Sequence, residues 1–473
     1  MSPFSNAPSI KEVLTSKETP DGKKRVGFFS KELKDGKKEW AKLTFMTFGM
    51  ITIFMFLFLS IYFGSYYKQV PRAAHLSIEV IDLDSIASPI GVPHPAILGP
   101  AMINAIQNDV KAAAPHLGWY FADNSTLQQF RLSGNGQGLD PYAYAEQKVL
   151  NQDVWGVLII NSNATRGVWS GLTQGVIWEP TGAMTFLYEE ARNFYAENQY
   201  VSRLGSMVMT SGGNAAATTL ASQILALGNA SAVLTTGSQA MAVASPFSYN
   251  LHNLRPFDQL AGIASTTVGT VYLIIFTFLI SVTWNNQGLP LIQDSLTLTS
   301  EVLVKLLVPF IGYFWLSLNY SLVSLAFLID FTRKFGKGGF VVYWMADWIT
   351  MSALGFVMET MFLWLGPFFP FFLIFWVILN VTVAFLDISD MASFYRYGYF
   401  TPVWNLVDMA KCVTFATKNH YAQNFAVNLA WLLVWMTLLV LTVVYQRRNK
   451  EKEAMQKKWE EIKEADKKEI DHS

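Results

Sequence analysis

The sequence predicts an α-helical polytopic membrane protein with six transmembrane helices and a mixed α/β extracytoplasmic domain between helices 1 and 2. Six stretches contain close to, or more than, the about 20 apolar residues that cross a bilayer as a helix. They are Leu43–Tyr62, Ala261–Thr283, Val302–Asp330, Phe340–Leu365, Phe368–Leu386 and Asn424–Tyr445. Composition agrees, because 52% of the 473 residues are hydrophobic and only 15% are charged, against about 25% charged in soluble domains.

Composition and motif content exclude several classes of function. The formal net charge is zero, so no bulk basicity points to a nucleic acid as a partner. The single cysteine, Cys412, permits no intrachain disulfide, and no Cys/His cluster has zinc-ligand spacing. The chain shows no P-loop, no G-x-S-x-G and no G-x-G-x-x-G after a strand pattern. We therefore predict no enzymatic activity, no catalytic residues, no cofactor and no metal site.

Residues 1–42 form a polar, lysine-rich segment that we predict to be a disordered cytosolic tail. The lysines come directly before the first apolar stretch, and positive charge beside a span favours the cytosolic side. We therefore interpret residues 43–65 as transmembrane helix 1, a signal anchor rather than a cleaved signal peptide.

Residues 66–260 are predicted to fold as the extracytoplasmic α/β domain. Strand patterns rich in β-branched residues lie at Ala74–Asp82 and Val154–Ile160. Helical patterns lie at Ala101–Ala114 and Val201–Leu227, the second loosened by a pair of glycines. A domain of nearly 200 residues therefore separates the first two spans.

Two further features of this domain concern its surface. Three glycosylation sequons agree with a non-cytosolic location, and their acceptor residues are Asn124, Asn163 and Asn229. The glycine-rich run Gly134–Gly138 follows no clear strand, so it favours a flexible loop over a phosphate-binding site.

Residues 261–446 are predicted to contain five transmembrane helices, followed by a charged cytosolic helix or tail at 447–473. Two arginines come directly after the last span, which favours a cytosolic C-terminus. Because the N-terminus is also predicted to be cytosolic, the number of spans must be even, and six fits. The loop Phe331–Gly339 then lies outside although it carries three basic residues, against the usual bias. The alternative is a break or a re-entrant stretch in one of the middle spans.

Polar side chains inside the apolar stretches are the candidate functional residues, because such groups are costly at bilayer depth. They are Glu359, Asp347, Asn319 and Asn380. Asp347 and Glu359 lie in one predicted helix, about 18 Å apart along its axis, so we predict separate sites rather than a carboxylate pair. For Glu359, a structural hydrogen bond between helices and a role in binding a proton or a lipid head group both stay open. The two asparagines are expected to join helices by hydrogen bonds.

Two segments near the membrane surface are also singled out. Arg255 and Asp258 flank Pro256-Phe257 just before the second span, and we expect them to be anchors at the membrane interface. Asp387–Gln423 is long, polar and aromatic, which favours a partly embedded external hairpin over a loop lying on the interface.

Several short runs together resemble the fungal nitrosoguanidine-resistance membrane proteins. The runs are His75–Asp84, Val154–Ile160, Ala191-Arg192-Asn193, Gln199-Tyr200-Val201 and Asn253–Phe257. That family shares its layout of one span, a large external domain and five spans with type-2 ABC exporter membrane subunits and the YhgE/Pip proteins. The resemblance implies an exporter-like, often dimeric helix arrangement. It also implies a role in resistance to toxic compounds or in the lipid make-up of the membrane.

Two hypotheses of function follow. The first is a protein that exports or redistributes lipids or hydrophobic toxic compounds along a path between the spans of a homodimer, and so confers drug or mutagen resistance. The second is a non-transporting scaffold or regulator that binds membrane lipids or partner proteins. A separate ATPase partner stays open, since Trp284–Glu301, where such exporters dock an ATPase, lacks basic residues. We expect the protein in the plasma membrane or an endomembrane.

Overall fold

The computed structural model describes residues 28, 30–31, 34–89, 94–112, 115–133, 138–226, 237–267 and 269–471. The chain divides into two compact units, Met1–Ser60 and Ile61–Ser473. The first helix, α1, covers Lys34–Tyr66 and begins earlier than the predicted span. The segment 34–42 is therefore helical, whereas the prediction had placed it in a disordered tail. Most of the rest of that tail, including residues 1–27, lies outside the described residues.

The domain that follows α1 is built on a five-stranded mixed sheet. Its strands are β1 Ser77–Asp82, β2 Gly118–Phe121, β3 Gly156–Ile160, β4 Met184–Tyr188 and β5 Tyr249–Asn253. They lie in the order β2-β1-β3-β4-β5, and only the pairing of β3 with β4 is antiparallel. The strands predicted at 74–82 and 154–160 are confirmed as β1 and β3, two neighbours at the centre of the sheet.

Helices cover both faces of this sheet. They are α2 Leu98–Lys111, α3 Asn124–Ser133, α4 Pro141–Leu150, α5 Ala164–Gln174, α6 Ser202–Ala226 and α7 Gly237–Ala244. Side chains alternate along a strand, so Val80 packs in the core beneath α2, α5 and α6, whereas Ile81 packs against α3 and α4. The mixed α/β prediction for the domain is thus confirmed.

The two long helical predictions in the domain are also confirmed, as α2 and α6. The glycine pair in α6 does not loosen the helix, which runs unbroken from Ser202 to Ala226. Gly212 instead allows α2 to cross closely, because a Cβ at this position would collide with Met102. The predicted loop Gly134–Gly138 lies mostly outside the described residues.

The remaining helices form a bundle. They are α8 Gly269–Thr283, α9 Leu298–Ala326, α10 Gly339–Leu365, α11 Phe369–Phe385, α12 Pro402–Phe415 and α13 Tyr421–Asp471. Helix α10 is the central one and packs against α8, α9, α12 and α13. Its middle section is buried almost without interruption from Ala346 to Thr360, which explains why polar residues on it must find partners inside the protein.

Five helical segments among the described residues are long and apolar enough to cross a membrane. One of them, Thr332–Phe385, contains both α10, which ends at Leu365, and α11, which begins at Phe369. Gly366, the residue after α10, has φ 50°, a positive value that glycine adopts more readily than other residues. Helix α11 has 17 residues, which is at the lower limit of a spanning helix.

The bundle has two distinguishable ends. At the end that we call the domain end, residues 257–259 contact Thr414, Phe415 and the 330–333 segment. At the opposite end, which we call the tail end, Arg447 of α13 forms an ion pair with Glu301 of α9. Helix α12 was not predicted, and it makes the 387–423 segment more helical and more buried than an interfacial loop.

Candidate functional site

The sheet domain and the bundle meet in a closely packed joint. Phe257 stacks on Phe415 with ring centroids 4.3 Å apart. Gln259 donates to the Thr414 carbonyl oxygen at 3.2 Å and accepts from the Asp330 backbone N–H at 2.6 Å. Lys411 Nζ donates to the carbonyl oxygen of Arg192 at 2.9 Å. Three of the runs that carry the family resemblance, at 191–193, 199–201 and 253–257, therefore lie at or next to this joint.

The two predicted anchors are both engaged in ion pairs. Arg255 NH1 lies 2.8 Å from Glu189 Oε1, and Asp258 lies 2.9 Å from Arg333. Arg333 also lies 3.6 Å from Asp330. The basic loop 331–339 is thus at the domain end, and its arginine is held between two carboxylates. A paired arginine is not a free positive charge, which weakens the argument that this loop prefers the cytosol.

Buried acids collect beside this joint. Glu197 is fully buried and neither of its carboxylate oxygens has a partner in the described part of the chain. Burial raises the pKa of Glu197 well above 4.5, against the opposing charge of Arg192. Burial also raises the pKa of Glu189, although its hydrogen bond with Arg255 opposes the shift. Asp390, which accepts from Gln69 at 2.8 Å, has its pKa raised to about 7 by burial and by Asp387.

Glu359 sits in α10 among uncharged hydrogen-bond donors. Ser281 Oγ donates to Oε1 at 2.9 Å, and Asn285 Nδ2 donates to Oε2 at 2.6 Å. The fully buried Tyr313 lies beside this carboxylate. The site therefore joins α8, α9 and α10, and the carboxylate forms no ion pair within 4.0 Å among the described residues.

Charged and polar side chains lie on the tail-end side of Glu359. Lys305, buried in α9, is within electrostatic range of both Glu359 and Glu301. Glu301 is held by Arg447 at 3.2 Å and by Gln293 at 2.6 Å. Lys305 and these three residues line a cavity of about 230 Å³ that also includes Lys450, Glu451 and Ala454 of the charged tail. Lys305 thus lines a polar pocket at the tail end and lies within electrostatic range of Glu359.

Asp347 occupies a separate site nearer the domain end. Ser321 Oγ donates to its Oδ2 at 2.6 Å, while Oδ1 has no partner in the described part of the chain. The aromatic residues Tyr320 and Tyr343 lie close to it. The structure therefore does not bring Asp347 and Glu359 together, in agreement with the prediction of two sites.

The two asparagines differ. Asn380 is buried, donates to the Trp376 carbonyl oxygen in its own helix and lies 3.5 Å from the Val403 N–H, so it meets the start of α12. Asn319 is exposed and donates at 2.7 Å to the Trp315 carbonyl oxygen of its own helix. The predicted role in joining helices therefore suits the geometry of Asn380 better than that of Asn319.

An apolar groove lies between α8 and α9 at the domain end, with a volume of about 580 Å³. Its walls include Ala264, Tyr272 and Phe276 on one side and Leu316 and Val323 on the other. Asn319, Ser265 and Ser324 supply a few polar groups. A volume of this size falls in the range of small-molecule sites, about 300–1,000 Å³.

Sequence reasoning missed several residues of these sites. Ser281 and Asn285 were not singled out because single polar residues near the end of an apolar stretch carry no distinctive signal. Glu197 and Lys411 became notable only through the contact between domain and bundle. Of the predicted glycosylation acceptors, Asn124 and Asn163 are exposed, and Asn229 lies outside the described residues.

A protein-family model matches residues 47–437, which is most of the chain and includes the domain, the joint and the bundle. Its description is "Protein of unknown function (DUF3533)". The chain belongs to this family. The protein is a multi-pass membrane protein, as its long apolar helices and its similarity to an endoplasmic reticulum membrane protein indicate.

The chain is also similar to a yeast protein of Saccharomyces cerevisiae, the "Uncharacterized endoplasmic reticulum membrane protein YJR015W". The two are 29% identical over 220 residues, which cover 46% of this chain and 43% of the yeast protein. The aligned segment thus spans less than half the length of that relative. No solved structure matches the chain.

Proposed function

We propose that this protein exports or redistributes amphiphilic compounds, either lipids or hydrophobic toxic compounds, and so contributes to drug or mutagen resistance. The observation that carries the proposal is the apolar groove between α8 and α9, which lies beneath the sheet domain at one end of the bundle. The walls of the groove are mostly apolar, so an acyl chain or a flat hydrophobic compound can pack against them. The few polar groups at its edge match the polar part of an amphiphile.

The buried acidic residues favour transport of the amphiphile over simple binding of it. Ionisable groups at bilayer depth mark proton relays and substrate pathways in many transporters. Glu359 meets this description, since it is buried on the central helix within electrostatic range of Lys305, which lines a polar pocket at the tail end. We propose that protonation of Glu359 couples an ion gradient to the movement of the amphiphile.

The proposed arrangement is a homodimer with both chain termini in the cytosol and six spans in each copy. The alternating order of helix ends in the bundle supports it, because α8 and α10 run from the domain end and α9 and α11 run back towards it. The sheet domain then faces the lumen or the cell exterior, where Asn124 and Asn163 are glycosylated. The yeast relative's name supports an endomembrane location.

The test is lipid and dye movement in vesicles that contain the purified full-length protein. Replacing Ala264 by Trp fills the groove, and Ala426→Trp is the matched control, because Ala426 is an exposed alanine on α13 outside the groove. Excluding two methylenes of an acyl chain costs about 1.6 kcal/mol, roughly tenfold in binding. We therefore expect Ala264→Trp to lower flux about tenfold and Ala426→Trp to leave it unchanged.

A second candidate function, a membrane scaffold or regulator, is favoured by the cytosolic part of α13. Met455, Trp459 and Ile462 are exposed there at helical spacing, which is the pattern of a surface that binds another helix. Wild-type vesicles that move neither labelled lipid nor dye, with or without an ion gradient, would support the scaffold and contradict transport.

A further inference from the structure

A polar cavity of about 210 Å³ lies in the joint between the sheet domain and the bundle. The domain contributes Gln152, Arg192 and Asn193, and the bundle contributes the end of α11, one face of α12 and residues 417–420. The volume is below that of sites for drug-sized molecules, about 300–1,000 Å³. It suits a small polar group rather than a whole hydrophobic compound.

The cavity contains cations without carboxylate partners. Lys411 uses Nζ to donate to the Arg192 carbonyl oxygen and makes no other hydrogen bond in the described part of the chain. Arg192 places its guanidinium 3.8 Å from the centre of the Trp155 ring and donates to the Val154 carbonyl oxygen. The side chain of Lys418 makes no hydrogen bond or ion pair with any described residue, and no described carboxylate lies within 4.0 Å of these three cations. Asp387 and Asp408 lie within electrostatic range of Lys411 without pairing with it, so its ammonium group can still bind an anion.

The same cavity also contains two carboxylates. Asp387 accepts from the Ser389 backbone N–H at 2.9 Å through Oδ1 and pairs with no described cation within 4.0 Å. Asp408 accepts from Asn424 at 2.6 Å and lies 3.3 Å from His420 Nδ1. A ligand that fits both sets of groups carries a negative and a positive charge.

An unpaired buried hydroxyl distinguishes this cavity from an ordinary gap in packing. Thr417 is 1% exposed, lines the cavity and has an Oγ1 atom without a partner in the described part of the chain. Gln152, also in the lining, has φ 57°, and Ala416, next to Thr417, has φ 56°. Both residues follow the end of a helix, where a left-handed conformation is a common cap, so the evidence for a ligand is the unpaired Thr417 hydroxyl.

The position of the cavity indicates a membrane lipid as the source of the ligand. It lies where α11 ends, at the domain end of the bundle. Tyr399, which lines the cavity, is 45% exposed, and the nearby Phe394 and Phe400 are 62% and 71% exposed. Exposed aromatic side chains at the ends of spanning helices are typical of the head-group region of a bilayer.

We propose that this cavity binds the head group of a phospholipid that carries both a phosphate and a primary ammonium group. The phosphate lies towards Lys411 and Lys418, and the ammonium lies towards Asp387 and Asp408. As a statement about cargo, this inference rests on the proposed function, because it names the class of amphiphile that the protein handles.

The test is lipid binding by the purified, delipidated full-length protein, followed by native mass spectrometry. The probes are phosphatidylethanolamine, phosphatidylcholine, whose quaternary ammonium has no N–H to donate, and phosphatidylglycerol, which has no ammonium. We expect phosphatidylethanolamine to bind about tenfold more tightly than either of the others, as one charge-assisted hydrogen bond implies. Equal binding of all three lipids would overturn the proposal.

Variants separate the two charges of the ligand. Asp387→Asn should abolish the preference for phosphatidylethanolamine without weakening phosphatidylglycerol, whereas Lys418→Met should weaken all three lipids. Lys418 is chosen because its side chain has no described hydrogen-bond partner that the substitution would remove, whereas Lys411 donates to the Arg192 carbonyl oxygen. The control is Lys337→Met, an exposed cation at the same end of the bundle but outside the cavity. Lys418→Met and Asp387→Asn proteins that bind like the wild type would contradict the assignment.

Two further measurements separate this inference from the proposed function. O-phosphoethanolamine should bind far more weakly than the lipid, and equally tight binding would show that the ligand is a soluble molecule and overturn the lipid assignment. Selective binding in the absence of any lipid flux would support the cavity as a head-group site while contradicting transport. Flux without selective binding would support transport and contradict the cavity.

Discussion

Asp84 in the sheet domain and the buried acids of the helix bundle differ in how their carboxylates are satisfied. In the domain, Asp84 accepts three hydrogen bonds, from the Thr165 N–H and hydroxyl and from the Gly99 N–H. In the bundle, Glu359 accepts one bond at each oxygen, and Asp347 leaves one oxygen without a described partner.

The number of fixed hydrogen-bond donors distinguishes buried acids that stabilise the fold from buried acids that can change their protonation state. A carboxylate that is saturated by fixed backbone donors is stabilised in its charged form and cannot be removed cheaply. A carboxylate with few, uncharged donors gains less from its charge, so protonation costs less. By this criterion Asp84 is structural, whereas the charged form of the domain's own Glu197, whose carboxylate oxygens have no described partner, is stabilised least.

The largest expected effect is on the free energy of unfolding when Asp84 is replaced. Asp84→Ala leaves the Thr165 and Gly99 donors without their partner, and we expect a loss of about 3 kcal/mol in the free energy of unfolding. Denaturant unfolding of the detergent-solubilised protein measures it. The control is Asp153→Ala, an exposed acid of the same domain. A loss below about 1 kcal/mol in the free energy of unfolding would contradict the structural role of Asp84.

The second effect concerns the bundle and compares its two acids directly. Glu359→Gln should abolish the stimulation of amphiphile flux by a proton gradient and lower the stimulated rate about tenfold, about 1.4 kcal/mol. Asp347→Asn is the matched control on the same helix, and it should leave flux unchanged because that site does not lead to the tail-end pocket. Unchanged coupling in Glu359→Gln would remove this residue from the mechanism.

The smallest effect is the pH dependence of stability at Glu197. Its folded-state pKa lies above 4.5, so the folded protein holds this proton more tightly than the unfolded chain, and stability falls as pH rises from about 4.5 through the folded pKa. Glu197→Gln should therefore be more stable than the wild type at pH 7, with the difference shrinking towards pH 4.5. Thermal unfolding across this range measures it, with the exposed Glu146→Gln as control. Parallel pH profiles of wild type and Glu197→Gln would contradict the pKa shift.

The positions of the long apolar helices could be predicted from the amino-acid sequence alone. The predicted span Phe340–Leu365 differs by one residue from α10, and Phe368–Leu386 differs by one residue at each end from α11. Apolar length is a local property that a short window of sequence contains. Helix α12 was missed because its 14 residues are too few for a span and contain Asn405, Asp408 and Lys411.

The partners of the buried polar residues could not be predicted in this way, because they depend on how the chain packs. Glu359 meets Ser281 across 78 positions of sequence, Lys411 meets Arg192 across 219, and Arg333 meets Asp258 across 75. Such pairs depend on which helix faces pack together, and nothing in the local pattern of either partner specifies the other. The apolar helices can therefore be predicted from the sequence, because their length and composition are local properties. The buried polar contacts and the cavity at the joint form only when the sheet domain and the bundle pack against each other.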